Sequence, residues 1–178
     1  SDCIRVRGPD SNNGEAVKQS SLPSVLLAVE SSCDETAVAV VRDGVHVVAE
    51  RIASQAALHA AAGGVVPEGA ARAHLEQLPG LLDEVLHEAG QEGVADAIGG
   101  VAVTTGPGLV GSLLVGSGFA AAWAWGRGLP VIPANHLEGH FRAAWLACDG
   151  VAPATRLPAV GLIVSGGHTL LVHVDDAG

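Results

Sequence analysis

Two histidines separated by three residues are the clearest candidates for chemistry in this sequence. His136 and His140 frame the segment HLEGH. If that segment is helical, residues four apart share one face, so both imidazoles can reach a single metal ion. Ordinary surface or core histidines can have the same spacing, and a metal ion needs further ligands that the neighbouring residues do not supply. We therefore expect any remaining ligand to come from elsewhere.

The glutamate between the histidines disfavours a zinc peptidase. Such enzymes carry HExxH, in which the Glu directly after the first His acts as the base. Glu138 stands two positions after His136, and at about 100° per residue it points to roughly the opposite helix face. Peptide hydrolysis by that mechanism is therefore not expected.

Two glycine-rich turns that follow apolar runs are candidate phosphate sites. They are GPGLVG at residues 106–111 and SGGHT at residues 165–169. Glycine lets backbone amides approach a phosphate, Ser and Thr add donors, and the first turn opens a helix whose amino end favours anions. Neither is a Walker loop, because GxxxxGK is absent. Each is more often structural when alone, but facing each other across a cleft they would suit a nucleotide.

The polar turn SSCDET at residues 31–36 contributes two acids and a thiol. Asp34 and Glu35 could hold a metal-bound phosphate or position a nucleophile, although solvated acids are equally common in such turns. Cys33 could itself be a nucleophile, but no base is visibly assigned to it.

A second polar segment, from His59 through the loop GGVVPE to His74, is explained structurally. Pro67 after a glycine pair suits the first helical position, and Glu68 in the first turn suits the helix dipole. These residues predict a helix entry rather than a binding site.

The apolar pattern arranges these motifs on an α/β framework. Predicted strands cover residues 25–30, 36–41 and 45–52, with a hairpin turn at Asp43-Gly44. The following helix places Ala71, Leu75, Leu78, Leu82, Val85 and Ala89 on one face, and Pro79 is expected to kink or split it. Further strands are predicted at 98–104, 131–132, 159–164 and 168–174, and helices at 112–125 and 135–147. Three antiparallel strands followed by alternating helices and parallel strands is the order of ribonuclease-H-like domains.

The last hairpin repeats the opening theme of the chain. Residues 162–174 read as apolar strand, Ser-Gly-Gly turn, Thr169 and apolar strand, as residues 26–41 do around Thr36. An isolated hairpin is marginal in water, so we expect a duplicated fold whose second half is truncated. The expected organisation is a disordered tail at 1–23, a first domain with the metal-binding helix at 24–150, and the start of a second domain at 151–178.

Charge and cysteine usage limit the partners and the compartment. The 178 residues carry a net charge of −10, and Lys18 is the only lysine, so nucleic-acid binding requires a local basic patch or a partner protein. Three widely spaced cysteines, Cys3, Cys33 and Cys148, fit a reducing, cytoplasmic location. No membrane span is expected, because Gly106-Pro107-Gly108 interrupts the long uncharged stretch.

Taken together, the motifs resemble one family. ESSCDETAVAVV, GGVVPE…ARAH, TTGPGLVGSLLVG, NHLEGH and VSGGHT occur in the order and spacing of the tRNA threonylcarbamoyladenosine transferases, formerly described as O-sialoglycoprotein endopeptidases. The match runs from about Val25 to Val174. The resemblance implies an actin/hexokinase/Hsp70-like fold of two ribonuclease-H-like halves around a cleft. It also implies transfer of a threonylcarbamoyl group from threonylcarbamoyl-adenylate to the exocyclic amine of the adenosine beside the tRNA anticodon.

The resemblance assigns roles to particular residues. His136 and His140 match the metal ligands, for iron or zinc, and the third ligand is an aspartate near the family's carboxyl end that this chain lacks. Asp34 and Glu35 match acids important for catalysis, although no general base is identified. The segment that contacts the adenylate, with ATP as a second candidate ligand, matches Ile163, Val164, Ser165, Gly166 and Gly167.

The resemblance also implies partners and limits. These are tRNA and, in bacteria, an inactive paralogue and a small ATPase, with no membrane. Ala62, Ala71 and Ala121 depart from the family's usual Tyr, Ser and Lys, which we expect to alter packing or partner contacts. Without the third ligand and half the cleft, the 178-residue piece is expected to be inactive alone. The alternative is a non-catalytic nucleotide-binding module or a sugar-kinase-like relative, and the histidine pair favours the catalytic branch.

Overall fold

A five-stranded mixed sheet forms the centre of the computed structural model, which describes residues 4–5, 22–60, 62–146, 158–164 and 169–174. Its strands are β2 (Val25–Glu30), β3 (Glu35–Arg42), β4 (His46–Ser54), β5 (Gly100–Gly106) and β6 (Val131–Asn135). Their order across the sheet is β4-β3-β2-β5-β6. β2, β3 and β4 form an antiparallel meander, whereas β5 runs parallel to β2 and β6 parallel to β5. The predicted α/β order is confirmed.

Alternation of apolar residues explains why these segments form strands. Leu27, Val40 and Val101 are fully buried, and the small residues between them, such as Ala28 and Ala39, are only half-buried. The β3–β4 turn uses Asp43 at φ 55° and Gly44 at φ 72°, which is the left-handed backbone that a tight hairpin requires. The hairpin turn predicted there is confirmed.

Within the described residues, four α-helices accompany the sheet: α1 (Ala56–Ala60), α2 (Pro67–Gln91), α3 (Val110–Trp125) and α4 (His136–Arg142). α2 and α3 pack on each other and on the sheet. α4 is shorter than predicted, ending in a 3-10 turn at Ala143–Trp145, and Ala147 lies outside the described residues. None of the described helices is both long and apolar enough to cross a bilayer.

The buried face of α2 differs from the prediction at two positions, because Ala70 and His74 are buried in place of Ala71 and Leu75. Ala70, His74, Leu78 and Leu82 follow one another at intervals of four and are buried, whereas Leu75 is 63% exposed. The sequence pattern selected the apolar Leu75 and missed its polar neighbour His74. Pro79 does not split the helix, because both Pro79 and the residue one turn before it, Leu75, lie on the solvent side.

A smaller sheet contains β7 (Ala159–Val164), β8 (Thr169–Val174) and the two-residue β1 (Ile4–Arg5). β7 and β8 pair antiparallel, as predicted, and β1 lies parallel to β8. β7 packs on α4 through Gly161, which lies directly against the Phe141 ring. A Cβ at this position would overlap the ring. This contact links the smaller sheet to the helix that carries the two histidines.

The loop before α3 comes very close to the connection from β2 to β3, which consists of residues 31–34 and the first residue of β3, Glu35, and which we call the 31–35 turn. The backbone N–H of Leu109 donates to the Ser32 carbonyl at 2.8 Å. A Cβ on Gly108 would lie 2.5 Å from that same oxygen and 2.8 Å from the Ser32 Cβ. Only glycine allows the two loops this approach.

Replacing Gly108 with alanine is expected to destabilise the fold by about 1–3 kcal/mol, because the added methyl group must push the Ser32 backbone aside. Urea unfolding measures the loss. Gly118→Ala is the matched control, because a Cβ at that α3 position meets nothing within 4 Å and should stabilise the helix by about 0.5–1 kcal/mol. Equal stability of the Gly108→Ala variant and wild type would contradict this packing.

Candidate functional site

The carboxyl ends of the parallel strands bring the polar motifs together. Glu30 is the last residue of β2, Thr104 lies near the end of β5, and α4 begins at His136 directly after β6. Strands that run parallel end at the same edge of a sheet, where open α/β sheets commonly bind ligands. The site therefore follows from the strand order.

Glu30 is held by donors from three elements. Its Oε1 accepts from the Ser32 backbone N–H at 2.5 Å, and its Oε2 accepts from the Thr104 hydroxyl at 2.6 Å. His136 Nδ1 lies 3.2 Å from the same Oε2. Burial opposes ionisation of this carboxyl, but the hydrogen bonds from Ser32, Thr104 and His136 outweigh it and lower the pKa of Glu30. Glu30 is therefore an anion at neutral pH.

The carboxylate fixes the orientation and the tautomer of His136. An ionised carboxylate only accepts hydrogen bonds, so the Nδ1 that faces Glu30 carries a hydrogen. Ser32 Oγ, 3.0 Å from the same nitrogen, completes the support on that side. In neutral His136, Nε2 then has a free lone pair directed away from Glu30. A carboxylate on one imidazole nitrogen and a metal ion on the other is the usual arrangement in protein metal sites.

His140 directs its own ring nitrogen at the same point. The two Nε2 atoms are 3.1 Å apart, and the ring centroids are 4.4 Å apart at an interplanar angle of 77°. Two imidazole nitrogens that share one ion at ~2.0–2.1 Å are separated by roughly 2.9–3.4 Å. The separation of the two Nε2 atoms is therefore compatible with one shared metal ion, and metal binding by this pair stays a prediction.

Local contacts hold α4 in place and turn Glu138 away from the pair. The Asn135 side chain caps the helix by accepting from the N–H groups of Leu137 at 2.9 Å and Glu138 at 3.2 Å. The Glu138 carboxylate pairs with Arg142 one turn later at 3.2 Å. No hydrogen bond between described residues joins it to either histidine, which agrees with the argument against a peptidase.

The pair does not make a complete metal site within the described residues. In that part of the chain, no third His, Cys, Asp or Glu joins the two histidines. Glu30 faces Nδ1 of His136 rather than Nε2, so it supports the imidazole and is not itself placed as a ligand. If the pair binds a metal ion, the third ligand would therefore come from outside this part.

The acids predicted at the 31–35 turn occupy different positions from Glu30. Asp34 is half-buried and Glu35 is exposed, and among described residues neither hydrogen-bonds to His136 or His140. Burial and the neighbouring Asp34 raise the pKa of the Cys33 thiol, which lowers its thiolate fraction and disfavours a nucleophilic role. The roles of Asp34 and Glu35 stay predictions.

Of the predicted adenylate segment, Ile163 and Val164 end strand β7. Val164 is 68% exposed. Ser165, Gly166 and Gly167 lie outside the described residues. The contact between β7 and α4 brings this strand beside the histidine helix, although no ligand contact follows from that alone.

Sequence reasoning missed Glu30, Ser32 and Thr104 as site residues. One signal was present for Glu30. A carboxylate at the end of a buried apolar strand costs free energy unless it has hydrogen-bond or charge partners. Two of its three partners, Thr104 and His136, are 74 and 106 residues away, so only the strand order reveals them.

Similarity to solved structures supports the fold. YeaZ from Pseudomonas aeruginosa matches with a TM-score of 0.50 at 22% sequence identity, over 83% of this chain and 64% of that one. At this identity the likeness concerns the fold alone, a mixed α/β arrangement.

Sequence comparison gives the family. The chain is 54% identical over 155 residues to a tRNA N6-adenosine threonylcarbamoyltransferase of Syntrophobacter fumaroxidans, covering 86% of this chain and 44% of that protein. The corresponding protein of Geobacter metallireducens is 51% identical over 154 residues, with 86% and 43% coverage. The chain thus spans less than half the length of these relatives. The family model of the tRNA N6-adenosine threonylcarbamoyltransferases also matches residues 46–178 of this chain. The chain therefore belongs to this family, TsaD.

Proposed function

We propose that this chain is the amino-terminal part of a metal-dependent acyltransferase that forms threonylcarbamoyladenosine in tRNA. The threonylcarbamoyl group would pass from threonylcarbamoyl-adenylate to the exocyclic amine of the adenosine adjacent to the anticodon, with AMP leaving. The observation that carries the proposal is the arrangement of Glu30, His136 and His140, with the two Nε2 atoms 3.1 Å apart. An inactive fold relative would have no need of this arrangement.

His136 and His140 would hold one divalent ion, iron or zinc, through their Nε2 atoms. Such an ion supplies positive charge that stabilises negative charge developing on the acyl phosphate during transfer. Glu30 keeps His136 in the tautomer that binds metal, and Thr104 and Ser32 keep Glu30 ionised. Asp34 and Glu35, on the adjacent turn, are proposed to act on the substrate.

The finer fold assignment is also part of the proposal. The strand order β4-β3-β2-β5-β6 supports a ribonuclease-H-like first domain at residues 24–150, as in actin, hexokinase and Hsp70 proteins. The β7–β8 hairpin would open a second such domain at 151–178. The cleft between the halves would take the adenylate at residues 163–167 and the glycine turn at 106–111, with ATP as a second candidate ligand.

Partners are proposed because the chain is strongly acidic, with a net charge of −10, and two of its arginines are engaged by carboxylates. Arg51 is engaged by Glu84 and Glu88, and Arg142 by Glu138. Binding of tRNA would therefore rely on the remainder of the protein or on the inactive paralogue and small ATPase of the pathway, in the cytoplasm. Exposed apolar residues on neighbouring helices support a protein contact: Leu75 on α2, and Val110 and Leu114 on α3.

Replacing Glu30 with glutamine in a full-length protein that carries this sequence is expected to weaken Zn²⁺ binding about 10- to 100-fold, because an outer-sphere carboxylate orients its histidine ligand. Competition with a chromophoric chelator measures the affinity. Glu138→Gln is the matched control, since the Glu138 carboxylate lies on α4, the helix that carries both histidines, and pairs only with Arg142 among the described residues. Equal losses from both substitutions would contradict the role of Glu30.

Replacing His136 or His140 with alanine is expected to reduce transfer by at least about 100-fold, because electrostatic stabilisation by a metal ion is worth several kcal/mol and each ~1.4 kcal/mol is tenfold in rate. The assay would combine the full-length protein, unmodified tRNA, threonylcarbamoyl-adenylate and the partner proteins, and detect the modified adenosine by mass spectrometry. Full activity of both variants would remove the histidines from the mechanism. An inactive wild type, with partners that support another transferase, would overturn the function.

A further inference from the structure

A set of buried polar side chains lies next to the 31–35 turn, between β3, α1 and α2. Its members are Thr36, Gln55, His59 and His74, with the half-buried Gln77 at its border. His74 and Thr36 are completely buried, and burying polar groups costs free energy unless they are hydrogen-bonded. A helix entry alone, which the sequence predicted here, does not require two buried histidines.

One chain of hydrogen bonds in this set has a consistent direction, and beside it the Thr36 hydroxyl lies 2.7 Å from both His74 Nδ1 and Gln77 Oε1. The Val66 N–H donates to His59 Nδ1 at 3.3 Å, so in neutral His59 the hydrogen is on Nε2, which lies 3.1 Å from Gln55 Oε1. The Gln55 amide nitrogen is in turn 3.3 Å from His74 Nδ1. We call His59, Gln55 and His74 the buried relay.

The relay ends on the turn whose Ser32 side chain contacts His136. His74 Nε2 donates to the Cys33 carbonyl at 3.1 Å. Desolvation is the main reason why the pKa of His74 is lowered, so the ring is neutral and its single hydrogen is on Nε2. The Gln55 backbone N–H also donates, at 2.9 Å, to the Asp34 carbonyl. The Cys33 and Asp34 carbonyls, which are successive in the turn, are therefore held by two members of the same polar set.

Cys33 directly follows the residue that contacts the site. The Ser32 N–H donates to Glu30, and Ser32 Oγ lies 3.0 Å from His136 Nδ1. On the opposite side, the Leu109 N–H donates to the Ser32 carbonyl at 2.8 Å. The backbone of residues 32–34 is thus fixed between the relay and the loop before α3. A shift at Cys33 would move Ser32 relative to His136.

We propose that His74 is a positioning residue, which holds the Cys33 carbonyl so that Ser32 and Glu30 orient His136, and that the relay connects the loop at Val66 to this function. The proposal deepens the proposed metal site and rests on it. Among the described residues, His74 forms no hydrogen bond with His136, with His140 or with the glycine turn at 106–111, so we expect it to act through the Cys33 carbonyl.

Two substitutions at residue 74 separate the contributions of the two ring nitrogens. Asparagine places an amide near Nδ1 and leaves the Cys33 carbonyl without a donor, whereas glutamine places an amide NH2 near Nε2 and keeps that donor. We expect His74→Asn to weaken Co²⁺ binding by about 3- to 10-fold, less than loss of a direct outer-sphere partner, and His74→Gln to stay within about 2-fold of wild type. In metal-free protein, side-chain ¹⁵N shifts of His136 should show less of the Nδ1–H tautomer in His74→Asn only.

Leu78→Ala is the control for a purely structural effect. Leu78 is fully buried one turn farther along α2, so its truncation should lower stability without changing the His136 ¹⁵N shifts or Co²⁺ affinity. If His74→Asn does not fold, His59→Asn removes the donor to Gln55 and should cause a smaller change of the same kind.

Equal effects of His74→Asn and His74→Gln, or of His74→Asn and Leu78→Ala, would overturn the proposal. If the wild-type protein binds no Co²⁺, the metal site itself fails. The His136 ¹⁵N shifts of the metal-free variants then still decide whether His74 positions that ring.

Discussion

The Glu30 carboxylate is the contact on which the site depends. A carboxylate at the end of a buried strand is costly unless donors surround it. Here the donors come from the following turn, from β5 and from α4. No two of these elements are brought together by local sequence alone. Formation of the parallel β2–β5–β6 edge therefore satisfies Glu30 and orients His136 at the same time.

Small residues make this convergence possible. Gly108 allows the loop before α3 to lie on Ser32, and Gly116 allows α3 itself to lie on Ser31, whose hydroxyl donates to the Ser112 carbonyl at 2.9 Å. On the other side, the buried side chains of Gln55, His59 and His74 replace the apolar packing that a helix–sheet interface normally has. The 31–35 turn is therefore held by glycine contacts on one side and by hydrogen bonds on the other.

The strands, the hairpin turn and the histidine pair could be predicted because each is encoded locally, by alternation, by Asp43-Gly44 or by spacing. Glu30 could not, because its role depends on partners that follow from strand order. His74 was missed for a related reason. Hydrophobic periodicity assigned the buried position to Leu75, whereas the His74 ring is compensated for its burial by hydrogen bonds with Thr36, with Gln55 and with the Cys33 carbonyl, which accepts from it. Polar residues that the fold itself satisfies leave no hydrophobic signal.

The most direct test of the central claim is a Zn²⁺ titration of the protein followed by side-chain ¹H–¹⁵N correlation spectra of its histidines. We expect Zn²⁺ to shift Nε2 of His136 and His140, while Nδ1 of His136 stays protonated towards Glu30 and the signals of His59 and His74 do not change. Coordination through Nδ1 of His136, or Zn²⁺ shifts confined to other histidines, would contradict the claim.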